Sequence, residues 1–251
     1  GCTEIGGSVH ILGWEVHNLN GLSGLTSIGG DLWIIYTGML NDISGLSSLT
    51  HIGGSLRMDG AQYVTSLAGL SSLEQVGGSL SIGDYDGNTN LHNLNGLENL
   101  QSIGGGLQIW FNQNLESLEG LENVTSLGGD IDIYHNPNLE SLSGLEGLTS
   151  LPGYLYIGSN FSLSSLAGLQ NLVSVGEHFI MGLSYSLPSL EGLENLASVG
   201  DKLELSYNHL LTDLSGLDNL VHIGAMLVIE GNDGLTSLSG MPGLTEVSGS
   251  L

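Results

Sequence analysis

A short pattern of glycines and apolar residues recurs along the whole chain, and no other feature restricts the possible folds as strongly. Each repeat opens with a Gly-Gly pair or a variant of it, and successive openings are 23, 24, 24 and 27 residues apart and then 24 residues apart throughout. The opening residues are Gly6, Gly29, Gly53, Gly77, Gly104, Gly128, Pro152, Gly176, Gly200 and Gly224, with a partial copy at Ser248. Self-similarity at such a period is the signature of a solenoid, in which each coil contacts only its neighbours.

Within each coil, the spacing of apolar residues distinguishes strand from helix. Counted from the opening residue, positions 4 and 6 are apolar in every coil, as Ile131 and Ile133 are, and this alternation is typical of a half-buried strand. Later apolar residues recur every third position, which suits short extended or 3₁₀ segments better than a long helix. We therefore predict one domain over residues 1–251: a right-handed, leucine-rich, β-helix-like repeat solenoid of about ten 24-residue coils, with a parallel β-sheet on one face.

Three further positions carry small or polar residues with structural implications. Position 17 is Gly in every coil, which predicts a positive φ or a close backbone approach. Position 19 is acidic in five coils, so we expect stacked carboxylates to repel one another and stability to rise with salt or calcium. Position 9 is Asn in six coils, and we predict that these inward amides satisfy backbone groups of neighbouring coils. The six are Asn88, Asn112, Asn136, Asn160, Asn208 and Asn232.

The charge of the chain excludes several classes of partner. It has 26 acidic residues and only two basic residues, Arg57 and Lys202, which gives a net charge of −24 at pH 7. Nucleic acids need Lys and Arg on their partner, so we expect no nucleic acid to bind. The sequence has no run of eighteen apolar residues, so direct membrane insertion is not expected. The eight His residues form no HExxH or Cys/His metal spacing, and we predict no enzyme and no catalytic residue.

The segment from Leu97 to Leu121 follows the pattern LxxLxxIGGxLxIxxNxxLxxLxGL and resembles leucine-rich repeats. It is most similar to the receptor L-domain variant of these repeats, found in insulin- and EGF-type receptor ectodomains and in bacterial and fungal surface proteins. The opening residues 2–11, CTEIGGSVHI, are similar to the way such domains begin. The resemblance covers almost the whole chain and implies a secreted or cell-surface location, a ligand-binding or adhesive role, and a protein or glycan ligand.

Aromatic residues on the outward side of the predicted sheet mark a candidate binding patch. Outward residues occupy positions 3, 5 and 7 of a coil, with position 8 just beyond, and three neighbouring coils carry aromatic rings there. Such clusters often mark interaction sites, although aromatic residues also favour exposed strand positions for packing alone. The predicted ligand-binding residues are Trp110, Phe111, Tyr134, His135, Tyr154, Tyr156, Trp33 and Tyr36.

The coil that opens at Gly77 contains a three-residue insertion with several side-chain oxygens. Asp84, Asp86 and Asn88 form a weak candidate calcium site, and a plain polar turn is the alternative. No other cofactor is expected.

These observations favour an extracellular, non-enzymatic recognition or adhesion module that binds a protein or glycan through its exposed sheet face. Two alternatives remain open. One is a structural spacer or surface protein that self-associates end to end. The other is an ice-binding protein, which would use the interrupted threonine row at position 22, formed by Thr26, Thr50, Thr125, Thr149 and Thr245.

Overall fold

The computed structural model describes residues 2–84 and 90–249, and it confirms a parallel β-solenoid of about ten coils. Each turn of the solenoid contributes one longer strand and one two-residue strand. We number the strands in chain order, so that even-numbered strands form one long sheet and odd-numbered strands form two narrow sheets.

The ten-stranded sheet lies on one face of the solenoid and corresponds to the predicted sheet. It consists of β2 (Val9–Leu12), β4 (Leu32–Ile35), β6 (Leu56–Asp59), β8 (Leu80–Ile82), β10 (Leu107–Trp110), β12 (Ile131–Tyr134), β14 (Leu155–Gly158), β16 (Phe179–Gly182), β18 (Lys202–Ser206) and β20 (Met226–Glu230). Inward residues at positions 4 and 6 are fully buried from the second to the ninth coil. Together with the later leucines they form one continuous core, as the apolar spacing predicts.

The two narrow sheets were not predicted. One contains β1 (Glu4–Ile5), β3 (Ser27–Ile28), β5 (His51–Ile52), β7 (Gln75–Val76), β9 (Ser102–Ile103) and β11 (Ser126–Leu127). The other contains β13 (Ser150–Leu151), β15 (Ser174–Val175), β17 (Ser198–Val199), β19 (His222–Ile223) and β21 (Glu246–Val247). Strands of two residues are too short to show a period of two in the sequence, which is why the pattern did not reveal them.

A proline explains why the narrow strands form two sheets and not one. The opening glycine of a coil donates its backbone N–H across the coils, as Gly176 does to the carbonyl of Leu151 at 2.8 Å. Pro152 stands at the corresponding position and has no N–H to donate to Leu127. The ladder therefore stops between β11 and β13.

Three short 3₁₀ helices turn the chain in the first coils, at Asn20–Leu22, Ser44–Leu46 and Ala68–Leu70. Their central residues are position 17 glycines without positive φ, whereas the next seven position 17 glycines have φ between 107° and 121°. A Cβ at Gly144 would lie 2.0 Å from the carbonyl oxygen of Leu118, so close approach also excludes a side chain. Over residues 2–84 and 90–249, no helix has the length and apolar character needed to cross a bilayer.

The acidic residues of position 19 have a local role that the sequence argument missed. The carboxylate of Glu146 accepts a hydrogen bond from the backbone N–H of Gly144 at 2.7 Å, and Glu122 accepts one from Gly120 at 2.9 Å. These contacts fix the tight turn at position 17. The expected response of stability to salt or calcium stays a prediction.

The predicted asparagine row is present in the described part of the chain. The Asn136 side chain accepts a hydrogen bond from the Asn112 backbone N–H at 3.0 Å and donates one to the Ile109 carbonyl at 2.9 Å. Asn160 makes the equivalent contacts to Asn136 and Ile133. Asn112, Asn136, Asn160 and Asn208 are fully buried, Asn232 is half-buried, Ser184 interrupts the row, and Asn88 lies outside the described residues.

Candidate functional site

The outward faces of β10, β12 and β14 bring aromatic side chains from three coils next to one another. The parallel register places Trp110 beside Tyr134, and Asp132 beside Tyr156. In a parallel sheet, residues at the same coil position lie one strand spacing apart, about 4.8 Å. The 24-residue period therefore places residues that are far apart in the sequence next to one another on the sheet.

These side chains enclose an open cleft of about 380 Å³ on the sheet face. Its lining residues, which define the Asp132 cleft, are Trp110, Phe111, Asp132, Tyr134 and Tyr156. The Tyr134 ring centre lies 5.4 Å from that of Phe111, edge to face, and 6.0 Å from that of Tyr156. All four rings are half-buried, so each contributes to a supported wall rather than to a flexible exposed surface.

Asp132 is the polar element of the cleft, and sequence reasoning did not identify it. Its Oδ1 atom is buried and has no hydrogen-bond partner among the described residues. The signal was available, because Asp132 occupies an outward strand position next to Tyr134 and beside Tyr156 of the following coil, but acidic residues are so common in this chain that none stood out.

Burial raises the pKa of the Asp132 carboxyl. A weak hydrogen bond from the Trp110 side chain opposes that shift, and the nearby charge of Asp130 adds to the rise. Burial also raises the pKa of Tyr156, with smaller contributions from Tyr134 and Asp132. Within the described part of the chain, the indole Nε1 of Trp110 is likewise buried without a partner in hydrogen-bonding geometry. The Trp110 N–H and the Asp132 carboxylate are therefore neighbours in poor hydrogen-bonding geometry, and Oδ1 remains open to a better-placed donor.

Two smaller clefts adjoin the Asp132 cleft and account for two more of the predicted residues. Tyr154 lines one of about 340 Å³ together with Asp132 and Tyr156. Trp33 lines another of about 200 Å³ that is also lined by Trp110 and by polar groups such as Gln108. The two aromatic groups that are separated in sequence therefore lie along one continuous face.

The structure places His135 and Tyr36 outside these clefts. The His135 ring lies 4.8 Å from Phe111 and 5.9 Å from Phe161, and it belongs to a row of rings at the end of the sheet. Tyr36 is 48% exposed and lines none of the three clefts. The row of rings continues through Tyr185 to His209, with ring centres 5.3 and 5.2 Å apart, and the sequence analysis did not include these members.

Several rings are carried on backbone with positive φ directly after the strand. Phe111 and His135 have φ of 55° and 56°, which costs roughly 1–2 kcal/mol for a residue with a Cβ. Glycine occupies the same coil position at Gly13, Gly60 and Gly231, also with positive φ. Glycine at this position in three coils indicates a backbone turn with positive φ. In the other coils larger residues occupy the position, so the pattern is not visible in the sequence as a whole.

Both basic residues of the chain are engaged by carboxylates. Arg57 contacts Asp84 and also lies 3.4 Å from Asp59, and Lys202 lies 2.6 Å from Glu204. No positive side chain lines the Asp132 cleft.

The candidate calcium site stays a prediction. Asp84 is engaged by Arg57, while Asp86 and Asn88 lie outside the described residues. Over residues 2–84 and 90–249, no three His, Cys, Asp or Glu side chains are grouped so as to hold a metal ion.

The position 22 threonines of the first coils are used within the solenoid. The Thr26 hydroxyl donates to the Thr3 carbonyl at 2.9 Å, and the Thr50 hydroxyl donates to the Thr26 carbonyl at 3.1 Å. This gives a structural reason for part of the threonine row that suggested ice binding.

Comparison with known proteins identifies the repeat. No curated protein matches the chain significantly. The family model of the receptor L domain matches residues 50–141, which include Trp110, Phe111, Asp132 and Tyr134. Over this segment the chain is similar to a receptor L domain, the family that the repeat pattern resembles.

Proposed function

We propose that this chain is an extracellular recognition module that binds a protein ligand on the face of its ten-stranded sheet, centred on the Asp132 cleft. The observation that carries the proposal is the cleft of half-buried aromatic rings that is also lined by the Asp132 carboxylate, whose Oδ1 has no well-placed protein donor among the described residues. Binding sites combine apolar walls with a few polar groups that fix the orientation of the ligand. Receptor L domains bind protein ligands and are typically extracellular, which supports the class of ligand and the location.

The composition of the cleft supports its role as an anchor point. Tyr and Trp are enriched at the residues that dominate binding energy, because they contribute large, rigid contact areas. Four rings from three adjacent coils meet at the cleft, and the smaller clefts extend the same face on both sides. A protein ligand that spans this face would cover the central coils of the solenoid.

The test is a binding screen followed by matched variants. The chain is screened against arrays of secreted proteins and of glycans, and each hit is measured by biolayer interferometry. The triple variant Trp110→Ser, Tyr134→Ser, Tyr156→Ser is expected to weaken binding to the ligand by at least about 100-fold, because truncating anchor residues costs about 2 kcal/mol or more each.

The control replaces three exposed apolar residues that line none of the three clefts, with Tyr63→Ser, Leu210→Ser and Leu238→Ser. The control variant should bind the ligand with the affinity of the wild type. Both the control variant and the cleft variant should retain the wild-type circular dichroism spectrum. A ligand that binds the cleft variant as tightly as the wild type would refute the proposal. Hits confined to the glycan array would refute the choice of a protein ligand.

A further inference from the structure

The carboxylate of Asp132 lies where two aromatic clefts meet. It lines the Asp132 cleft and also the neighbouring cleft with Tyr154 and Tyr156. A carboxylate in an open cleft with an oxygen that lacks a protein partner is an acceptor that solvent occupies in the free protein and that a donor on a ligand can take over. The Trp110 indole supplies one nearby N–H but leaves Oδ1 without a hydrogen bond in the described structure.

The surrounding charges determine which donor fits best. Asp130 and Glu177 lie close enough to influence the Tyr154 hydroxyl, and Glu204 influences that of Tyr156. Both basic residues of the chain are engaged with carboxylates, at Arg57 and Lys202. With a net charge of −24, the field at this face attracts cations and repels anions.

The ring walls favour the same kind of ligand. Aromatic faces attract a cation placed within about 6 Å of the ring centre, and arginine is the more frequent partner. A guanidinium is planar and stacks on rings while its N–H groups meet a carboxylate in matching geometry. The rings of Phe111, Tyr134 and Tyr156 line the same cleft as Asp132.

We propose that the Asp132 cleft receives a basic side chain, best an arginine, of the protein ligand, with the guanidinium against Asp132 and between the aromatic rings. This inference rests on the proposed function, because it names the chemistry of the ligand at the same site. It specifies the charge of the group that enters, which the proposed function leaves open.

The experiment uses N-acetyl-argininamide as the probe and N-acetyl-citrullinamide as its neutral isostere. The three tryptophan indole N–H signals, from Trp14, Trp33 and Trp110, are followed by ¹H–¹⁵N correlation spectra during titration. We expect a saturable shift of the Trp110 signal with the arginine probe, about tenfold weaker affinity for the citrulline probe, and no shift at Trp14. Trp14 lines none of the three clefts and serves as the internal control.

Two isosteric variants separate the local carboxylate from the overall charge. Asp132→Asn is expected to weaken binding of the arginine probe about tenfold or more, because a charge-assisted hydrogen bond is lost. Glu191→Gln removes the same charge at an exposed position that lines none of the three clefts, and it should change the affinity less than twofold. Equal affinities for the two probes, no Trp110 shift, or unchanged binding in Asp132→Asn would overturn the proposal.

Failure here is distinguishable from failure of the proposed function. If the arginine probe does not bind while the triple serine variant loses its protein ligand, the recognition face stands and the cationic anchor is wrong. If the arginine probe binds but the protein ligand is unaffected by the serine variant, the cleft binds cations and the proposed recognition function is wrong.

Discussion

The buried asparagine row makes a quantitative prediction about stability, which Asn136→Ala tests. The Asn136 side chain is completely buried. Its Oδ1 accepts from the Asn112 N–H at 3.0 Å, and its Nδ2 donates to the Ile109 carbonyl at 2.9 Å. Alanine removes both contacts, so the Asn112 N–H loses its acceptor in the core and the Ile109 carbonyl loses the amide donor that it has besides the strand ladder.

The size of the effect follows from these two groups. The buried N–H that loses its acceptor costs about 1–3 kcal/mol and the hydrogen bond lost at the carbonyl costs about 0.5–1.5 kcal/mol, so together they predict a loss of roughly 1.5–4.5 kcal/mol in the free energy of unfolding. The same reasoning predicts a much smaller effect at Asn138, whose Nδ2 donates to the Gln113 carbonyl at 2.9 Å but whose side chain is exposed. Water can replace the lost partner there, so Asn138→Ala should cost less than about 1 kcal/mol.

Urea unfolding followed by circular dichroism measures both variants against the wild type, by linear extrapolation. Coincidence of the circular dichroism and tryptophan fluorescence transitions must be checked first, since long repeat arrays can unfold in parts. The reasoning would be refuted if Asn136→Ala cost no more than Asn138→Ala, because burial of the backbone groups would then have no energetic consequence.

Two further predictions concern stability. Ser184→Asn should raise the free energy of unfolding by about 1 kcal/mol, because the new amide reaches the Ile157 carbonyl and the Asn160 N–H in the register of the row; urea unfolding that shows a loss would contradict this. Asp132→Asn should also stabilise the fold at pH 7, by less than about 1 kcal/mol because the carboxylate is partly screened by water. Burial raises the pKa of Asp132 in the folded protein above its unfolded value of 3.8. Below pH 3.8 the carboxyl is protonated in both states and imposes no penalty on folding, and the penalty appears as the pH rises through the folded pKa. The free energy of unfolding of Asp132→Asn should therefore exceed that of Glu191→Gln at pH 7 but not at pH 3. An equal difference at both pH values would show that desolvation of the carboxylate is not its cause.

The aromatic cleft shows where reasoning from the sequence reaches the site and where it stops. Trp110 and Tyr134 occupy equivalent coil positions, so the 24-residue period already predicted that they are neighbours. Asp132 was missed because its environment depends on how far three rings cover it, and ring orientation is set by side-chain packing. His135 was grouped with the patch, and its ring does lie 4.8 Å from Phe111 and 5.9 Å from Tyr134, but it does not line the cleft itself.

The repeat by itself determined the coil length, the inward positions and the long parallel sheet, because burial of leucine in a shared core imposes a period that is visible in the sequence. Residues such as Ile131 and Ile133 are constrained by that burial alone. Tertiary structure decided what depends on contacts between coils: the break in the narrow sheet at Pro152 and the unfilled carboxylate of Asp132. The physical reason is that hydrogen bonding and desolvation depend on atoms from residues some 24 positions away, whose orientation no single coil specifies.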